Sequence, residues 1–269
     1  MDNKTIDNKK TIGLALSGGV GYCLAHIGVL KLIEEQGIAV ECVAGTSGGA
    51  LVGALYASGI KADRLEQIAA TISWGQLMAP TRVLTNKGLV SSEPIQHLVD
   101  QLVGKGRRFS ELKLPLSVVA VDLLSGDEVI FPNNPDDLIA PAVRASCSVP
   151  VVFAPVKMGS WLLSDGGIKA PLPVEALRRF APDVTIGVVF DTGHYEPKNL
   201  FEIGLRSMSL ANEKMLEVYD TELDLLVRVD AGEVSNWDLK LAMGLVDAGY
   251  QAALRQLDKL KACTKDAAC

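Results

Sequence analysis

The chain has 269 residues, 48% of them hydrophobic and 22% charged, which supplies one large core and excludes a disordered chain. Its net charge of −6 argues against nucleic acid as a partner, because that ligand rewards a basic face, and it gives no sign of a polybasic membrane patch. The polar start, Met1 to Lys10, leads into an apolar run from Ile12 to Leu16 that is too short for a secretory signal. No segment approaches the roughly 20 apolar residues of a membrane span. The expectation is a soluble, cytoplasmic protein.

The elements read as follows in chain order. Thr11–Leu16 is an apolar strand and Ser17–Gly21 a glycine loop. Leu24, Ile27, Leu30 and Ile33 recur at helical spacing, and Gly37 ends that helix. Ile38–Ala44 reads as a second strand broken by Gly45, followed by a small-residue helix over Ala50–Ala57 that stops near Gly59. Helices are predicted over Asp63–Ile72 and Glu93–Val103, with an aperiodic apolar stretch, Trp74 to Ser92, between them. Leu116–Leu123 and Glu128–Phe131 flank Ser125-Gly126-Asp127 as a hairpin. Strands over Thr185–Phe190 and Leu223–Val229 enclose a helix from Phe201 to Tyr219, and Leu239–Leu260 is the closing helix. Strand–helix units in succession favour a parallel sheet covered by helices, an α/β fold. The economical division is one domain over residues 11–261, between polar tails at 1–10 and 262–269.

Gly45-Thr46-Ser47-Gly48-Gly49 satisfies G-x-S-x-G between an apolar strand and an apolar helix, the setting of a nucleophile elbow. A sharp strand-to-helix turn places the serine in a strained backbone conformation, and the flanking glycines remove side chains that would clash there. The alternative is a glycine-rich turn in which Ser47 merely caps the helix. Ser17-Gly18-Gly19-Val20-Gly21 follows the first strand and can aim backbone amides at an oxyanion. Its rival reading is dinucleotide binding, with Glu41 as the ribose acid, but the third glycine of that fingerprint is missing. Ser164-Asp165-Gly166-Gly167 is by itself an ordinary turn sequence.

Taken in order, these segments resemble the patatin-like phospholipase family over most of the chain. The glycine loop continues into Leu24-Ala25-His26-Ile27-Gly28-Val29-Leu30, similar to that family's first helix, and Gly45–Gly49 looks like its elbow. Ala142-Val143-Arg144-Ala145-Ser146 with Val149-Pro150 looks like the segment before its catalytic acid, and Asp165-Gly166-Gly167 matches its D-G-G/A motif. The resemblance implies a three-layer α/β/α domain with a mostly parallel central sheet. It implies hydrolysis of lipid acyl esters by a Ser47–Asp165 dyad, without cofactor or metal, with the amides of Gly18, Gly19 and Val20 as the oxyanion hole. It also implies a lipid or acyl-ester substrate and a transient contact with a membrane surface. An aspartate is a poor base at its ordinary pKa near 3.9, so such a site must raise its proton affinity. The loop departs from the family pattern in carrying Tyr22 and Cys23 where a basic residue and glycine are usual, and Val20 replaces a frequent glycine. The absent cation makes acyl ester a firmer expectation than phospholipid.

Further readings come from single residues and stretches. His194 follows Ser47 and Asp165 in the chain order of an α/β-hydrolase triad, and is the competitor to the dyad. His26 reads as a helix residue with a structural hydrogen bond and His97 as a surface one. Arg144 is a candidate substrate-binding residue whose plainer role is an ion pair, and Trp74–Val90 is a packed loop or a lipid-facing lid. The cysteines Cys23, Cys42, Cys147, Cys263 and Cys269 form no CxxC pair and no cysteine–histidine cluster, and read as buried or incidental thiols. A non-catalytic lipid- or nucleotide-binding protein on the same scaffold is the remaining alternative.

Overall fold

Runs that are apolar without interruption make strands buried on both faces, and this is what the sheet requires. The computed structural model describes residues 10–80, 90–191, 193, 196–197, 200–232 and 243–264. Its strands are β1 (Ile12–Leu16), β2 (Cys42–Thr46), β3 (Ala79–Pro80), β4 (Val90–Ser91), β5 (Leu116–Asp122), β6 (Glu128–Phe131), β7 (Val156–Met158), β8 (Trp161–Asp165), β9 (Val184–Asp191) and β10 (Leu225–Asp230). The helices are α1 (Leu24–Glu35), α2 (Gly48–Ala57), α3 (Ala62–Ala69), α4 (Trp74–Leu77), α5 (Glu93–Val103), α6 (Ile139–Ser146), α7 (Val174–Arg178), α8 (Leu200–Leu216), α9 (Gly244–Leu254) and α10 (Leu257–Thr264).

The main sheet runs β10-β9-β1-β2-β5-β8-β7, with β6 also paired to β5. The first five of these strands are parallel, and β6, β7 and β8 join antiparallel. Because successive side chains point to opposite faces, each strand feeds two cores. Leu14, Leu16, Val43, Val118, Val188 and Val227 enter the larger cluster, shared with α1, α2, α5, α6 and α9. Ala15, Cys42, Ala44, Val119 and Val189 enter a smaller one, closed by Leu172, Leu177 and Leu216. The result is three layers, helix on sheet on helix.

β5 has three partners and two edges. β2 and β6 both pair with Val118 and Val119, and β6 and β8 both pair with Ala120 and Val121, so β2 and β8 share one edge. β2 ends with Thr46 opposite Val119, and β8 ends with Asp165 opposite Ala120. Two strands of opposite direction therefore meet end to end at adjacent positions of β5, about 3.4 Å apart along the strand.

Two expectations change, and a third lies outside the described residues. Gly45 does not break the second strand: it lies within β2, opposite Leu16 and Val118. A Cβ there would meet Ala50 Cα at 2.5 Å, so glycine is needed because α2 folds directly back over the strand. The closing helix is two helices with a break at Arg255–Gln256, which lets Leu257 and Leu260 pack on the larger core. Most of the Trp74–Val90 stretch, including residues 81–89, lies outside the described residues, and the lid reading with it.

α1 and α9 cross where each has a glycine. A Cβ on Gly28 would stand 1.8 Å from the Val246 carbonyl oxygen, and one on Gly249 would stand 2.0 Å from that of Ala25. Overpacking at such backbone contacts costs about 1–3 kcal/mol. Gly28→Ala and Gly249→Ala are each expected to lower the unfolding free energy in urea by that amount. Gly204→Ala on α8, where a Cβ meets nothing within 4 Å, is expected to leave it unchanged or raise it.

Candidate active site

Ser47 stands between β2 and α2 with φ 53° and ψ −124°, a conformation L-residues rarely adopt. Its side chain does not cap α2. Instead Oγ donates to Asp165 Oδ2 at 2.6 Å. This decides against the plain capping turn. The elbow closes tightly: a Cβ on Gly49 would lie 2.2 Å from the Leu16 carbonyl oxygen, and one on Gly48 would lie 2.6 Å from Cys23 Cβ. The N-terminus of α2 also brings a partial positive charge to the serine.

Asp165 is the last residue of β8, and its Oδ1 accepts the Gly167 amide at 2.7 Å, opening a short 3-10 turn over Gly166–Ile168. Ser47 is 4% exposed and Asp165 2%. Burial pushes the Asp165 carboxyl up to about 6, against the opposing pull of its bonds from Ser47 and Gly167.

The end of α6 and the residues that follow it hold both, through groups that sequence reasoning left without a role. The Ser47 amide donates to Ser146 Oγ at 2.8 Å, and that hydroxyl donates to the Val119 carbonyl at 2.6 Å. Cys147 Sγ donates to the Ser47 carbonyl at 3.1 Å, and burial holds this thiol protonated. The Ser148 carbonyl accepts both the Asp165 amide at 3.0 Å and Ser164 Oγ at 2.8 Å. The available signal was a polar triplet, Ser146-Cys147-Ser148, in an otherwise apolar segment.

The glycine loop lies against the serine, a Cβ on Gly18 standing 3.3 Å from Ser47 Cβ. One of its three predicted donors is already used, since the Gly18 amide donates to the Pro171 carbonyl at 3.0 Å. Among the described residues the amides of Gly19 and Val20 have no acceptor. Val20 has φ 45°, which explains why glycine suits this position and shows that a β-branched residue is held there under strain. Tyr22 and Cys23 are buried packing residues; Tyr22 meets the Phe190 ring at 6.1 Å.

Arg144 is engaged by α5 and its N-cap, donating to Ser92 Oγ and Gln96 Oε1 at 3.3 Å each and pairing with Glu93 at 3.8 Å. Glu41 immediately precedes β2 and its amide bonds the Ile12 carbonyl, so it sits at the sheet edge opposite the glycine loop. The dinucleotide reading loses its acid for that reason. His97 is exposed on α5, and His194 lies outside the described residues. Cys23, Cys42 and Cys147 are buried free thiols and Cys263 is half-buried. Among the described residues no three His, Cys, Asp or Glu side chains group as metal ligands, and no helix is long and apolar enough to cross a membrane.

Comparison with known proteins agrees with this architecture. Residues 14–178 match the family model described as patatin-like phospholipase. An uncharacterized NTE family protein of Mycobacterium bovis is 35% identical over 184 residues, covering 66% of this chain and 48% of that protein. The uncharacterized protein YqhO of Bacillus subtilis is 30% identical over 232 residues, 76% of this chain and 80% of that one. Mouse patatin-like phospholipase domain-containing protein 6 is 30% identical over 202 residues, but this chain spans 14% of its length. VipD from Legionella pneumophila has the same fold at 14% identity, with a TM-score of 0.61 over 93% of this chain and 67% of VipD. The type III effector ExoU of Pseudomonas aeruginosa does so at 16% identity, with a TM-score of 0.57 over 96% of this chain and 54% of that one. The chain belongs to the patatin-like phospholipase family, a family of lipid hydrolases. It spans about half the length, or less, of the mycobacterial relatives it matches.

The Asp165 carboxyl carries a stability consequence. Its folded pKa of about 6 lies above the unfolded value of 3.8, so the folded state binds the extra proton. Stability is unaffected by this group below pH 3.8 and is lost as pH rises from there through 6. Asp165→Asn removes the loss. The unfolding free energy of the variant minus that of the parent is expected to increase by about 2 kcal/mol between pH 4.5 and 7.5. Urea titrations at the two pH values measure it, and a flat difference would contradict the raised pKa.

Proposed function

We propose that this protein is a serine-dependent lipid acyl hydrolase of the phospholipase, lysophospholipase or carboxylesterase type, working through a Ser47–Asp165 dyad. The observation that carries the reading is the 2.6 Å bond from Ser47 Oγ to Asp165 Oδ2 between two almost wholly buried side chains. Ionised Asp165 takes the Oγ proton as Ser47 attacks the acyl carbonyl carbon, and the carbonyl becomes an oxyanion. The amides of Gly19 and Val20 receive that oxyanion. Collapse of the tetrahedral intermediate expels the alkoxide, which takes the proton back from Asp165 and leaves an acyl-serine. Water then repeats the sequence: Asp165 accepts its proton, and Ser47 leaves as the alcohol. No step requires a cofactor or metal.

The raised pKa of Asp165 fits a general base better than the ordinary carboxylate value would, because proton transfer improves as base and operating pH approach. The buried Tyr22 and Cys23, in place of the family's usual cation and glycine, favour an acyl ester without an obligatory anionic head group. A lipid substrate also implies transient contact with a membrane surface.

A fluorophosphonate probe is expected to label Ser47 in the parent and not in Ser47→Ala. Hydrolysis of a p-nitrophenyl ester is expected to fall at least 10³-fold in Ser47→Ala and Asp165→Asn, within the range for loss of a nucleophile or its base. kcat/KM is expected to rise with pH through about 6 and then level, because the ionised base is the active form. His194→Ala is expected to retain activity; its loss in a folded variant would replace the dyad by a triad.

A further inference from the structure

His26 is wholly buried on α1, with Nε2 2.9 Å from the Ser17 carbonyl oxygen. A carbonyl only accepts, so Nε2 carries the proton and donates. Among the described residues the other ring nitrogen, Nδ1, has no partner, and neither does the buried Ser17 hydroxyl. Burial lowers the imidazole pKa to about 4, so the ring is neutral in ordinary buffers.

The Ser17 carbonyl and the Gly18 amide belong to one peptide unit. His26 holds its oxygen, and the Pro171 carbonyl holds its N–H at 3.0 Å. The peptide two units later, Gly19–Val20, has its oxygen held by the Tyr22 amide at 2.7 Å. Between these fixed units lies the unit bearing the Gly19 amide, which, like that of Val20, has no acceptor among the described residues. His26 also supports the loop from below. Its ring centroid is 4.7 Å from that of Phe190, and Phe190 ring atoms stand 2.7 Å from where a Gly19 Cβ would be. Two adjacent glycines are free to rotate unless something outside the loop fixes them.

We propose that His26 is a positioning residue for the oxyanion loop, clamping the Ser17–Gly18 peptide so that the Gly19 and Val20 amides are set before the acyl substrate arrives. This rests on the hydrolase reading above. Donors fixed in advance act on charge that develops in the transition state, so the loss should appear in kcat and not in KM. A histidine that only fills space would show neither effect.

The test compares the parent, Ser47→Ala, His26→Gln and His26→Met on p-nitrophenyl butyrate, with thermal unfolding measured in parallel. His26→Met keeps length without the donor and is expected to lower kcat roughly 10²-fold with KM within about twofold. Gln places an amide nitrogen close to the Nε2 position, so His26→Gln is expected to keep kcat within about threefold. An active parent with His26→Met at the parental kcat overturns the role of His26 alone, and so does a Gln variant as slow as the Met variant. A parent no faster than Ser47→Ala overturns the hydrolase reading and this inference together. If His26→Met does not fold, the parent labelled with ¹⁵N-histidine supplies the readout. A trifluoromethyl ketone adduct on Ser47 is expected to shift the His26 Nε2 resonance, and an unmoved resonance overturns the proposal.

Discussion

β5 carries two strands along one edge, one parallel and one antiparallel, and the pair can lie there only by meeting end to end. β2 stops at Thr46 and β8 stops at Asp165, at neighbouring positions of the same strand. A parallel sheet alone places its functional loops at the carboxyl ends of its strands, side by side. The antiparallel β8 adds a strand whose carboxyl end points back at β2. Ser47 and Asp165, 118 residues apart in the chain, are brought within one hydrogen bond by that geometry.

The junction demands small residues and internal partners, because three backbone segments converge where Ser47 and Asp165 are almost wholly buried. Gly45, Gly49 and Gly166 are each within 2.2–2.5 Å of foreign backbone atoms at the position of a Cβ. The polar groups stranded there are satisfied by Ser146, Cys147 and Ser148, which hold Ser47 from one side and Asp165 from the other. The same burial raises the proton affinity of Asp165. Burial, which opposes a charge, is thus what suits a carboxylate to the work of a base in the proposed mechanism, and it subtracts from stability at neutral pH.

Strain is distributed around the site in a consistent way. Of the four non-glycine residues with positive φ among the described residues, two, Ser47 and Val20, belong to the candidate site. Such conformations cost of order 1–3 kcal/mol each and persist where surrounding contacts over-determine them. For Ser47 those contacts are the α6 triplet; for the loop they are the Pro171 carbonyl, the His26 ring and Phe190.

The apolar runs, the glycines and the G-x-S-x-G turn were legible as α/β structure with a strained serine between strand and helix, since periodicity and backbone permissiveness are local properties. Ser47 could be named from its own neighbours. Asp165 could be named only through resemblance, because nothing in Ser164-Asp165-Gly166-Gly167 distinguishes it from a surface turn until β8 is laid along β5. Gly45 read as a strand breaker, because the helix that folds over it is absent from a local window. The loop Ser17–Gly21 was legible as a set of amides, but not which of them is committed: Pro171, which takes the Gly18 amide, is more than 150 residues away. Arg144, Ser146 and His26 are likewise defined by partners contributed from other elements. The sequence by itself determined which segments could be strand, turn and helix and where a strained serine would stand. The tertiary structure alone decided which polar groups met, because hydrogen bonds and burial at this site depend on pairings between distant strands.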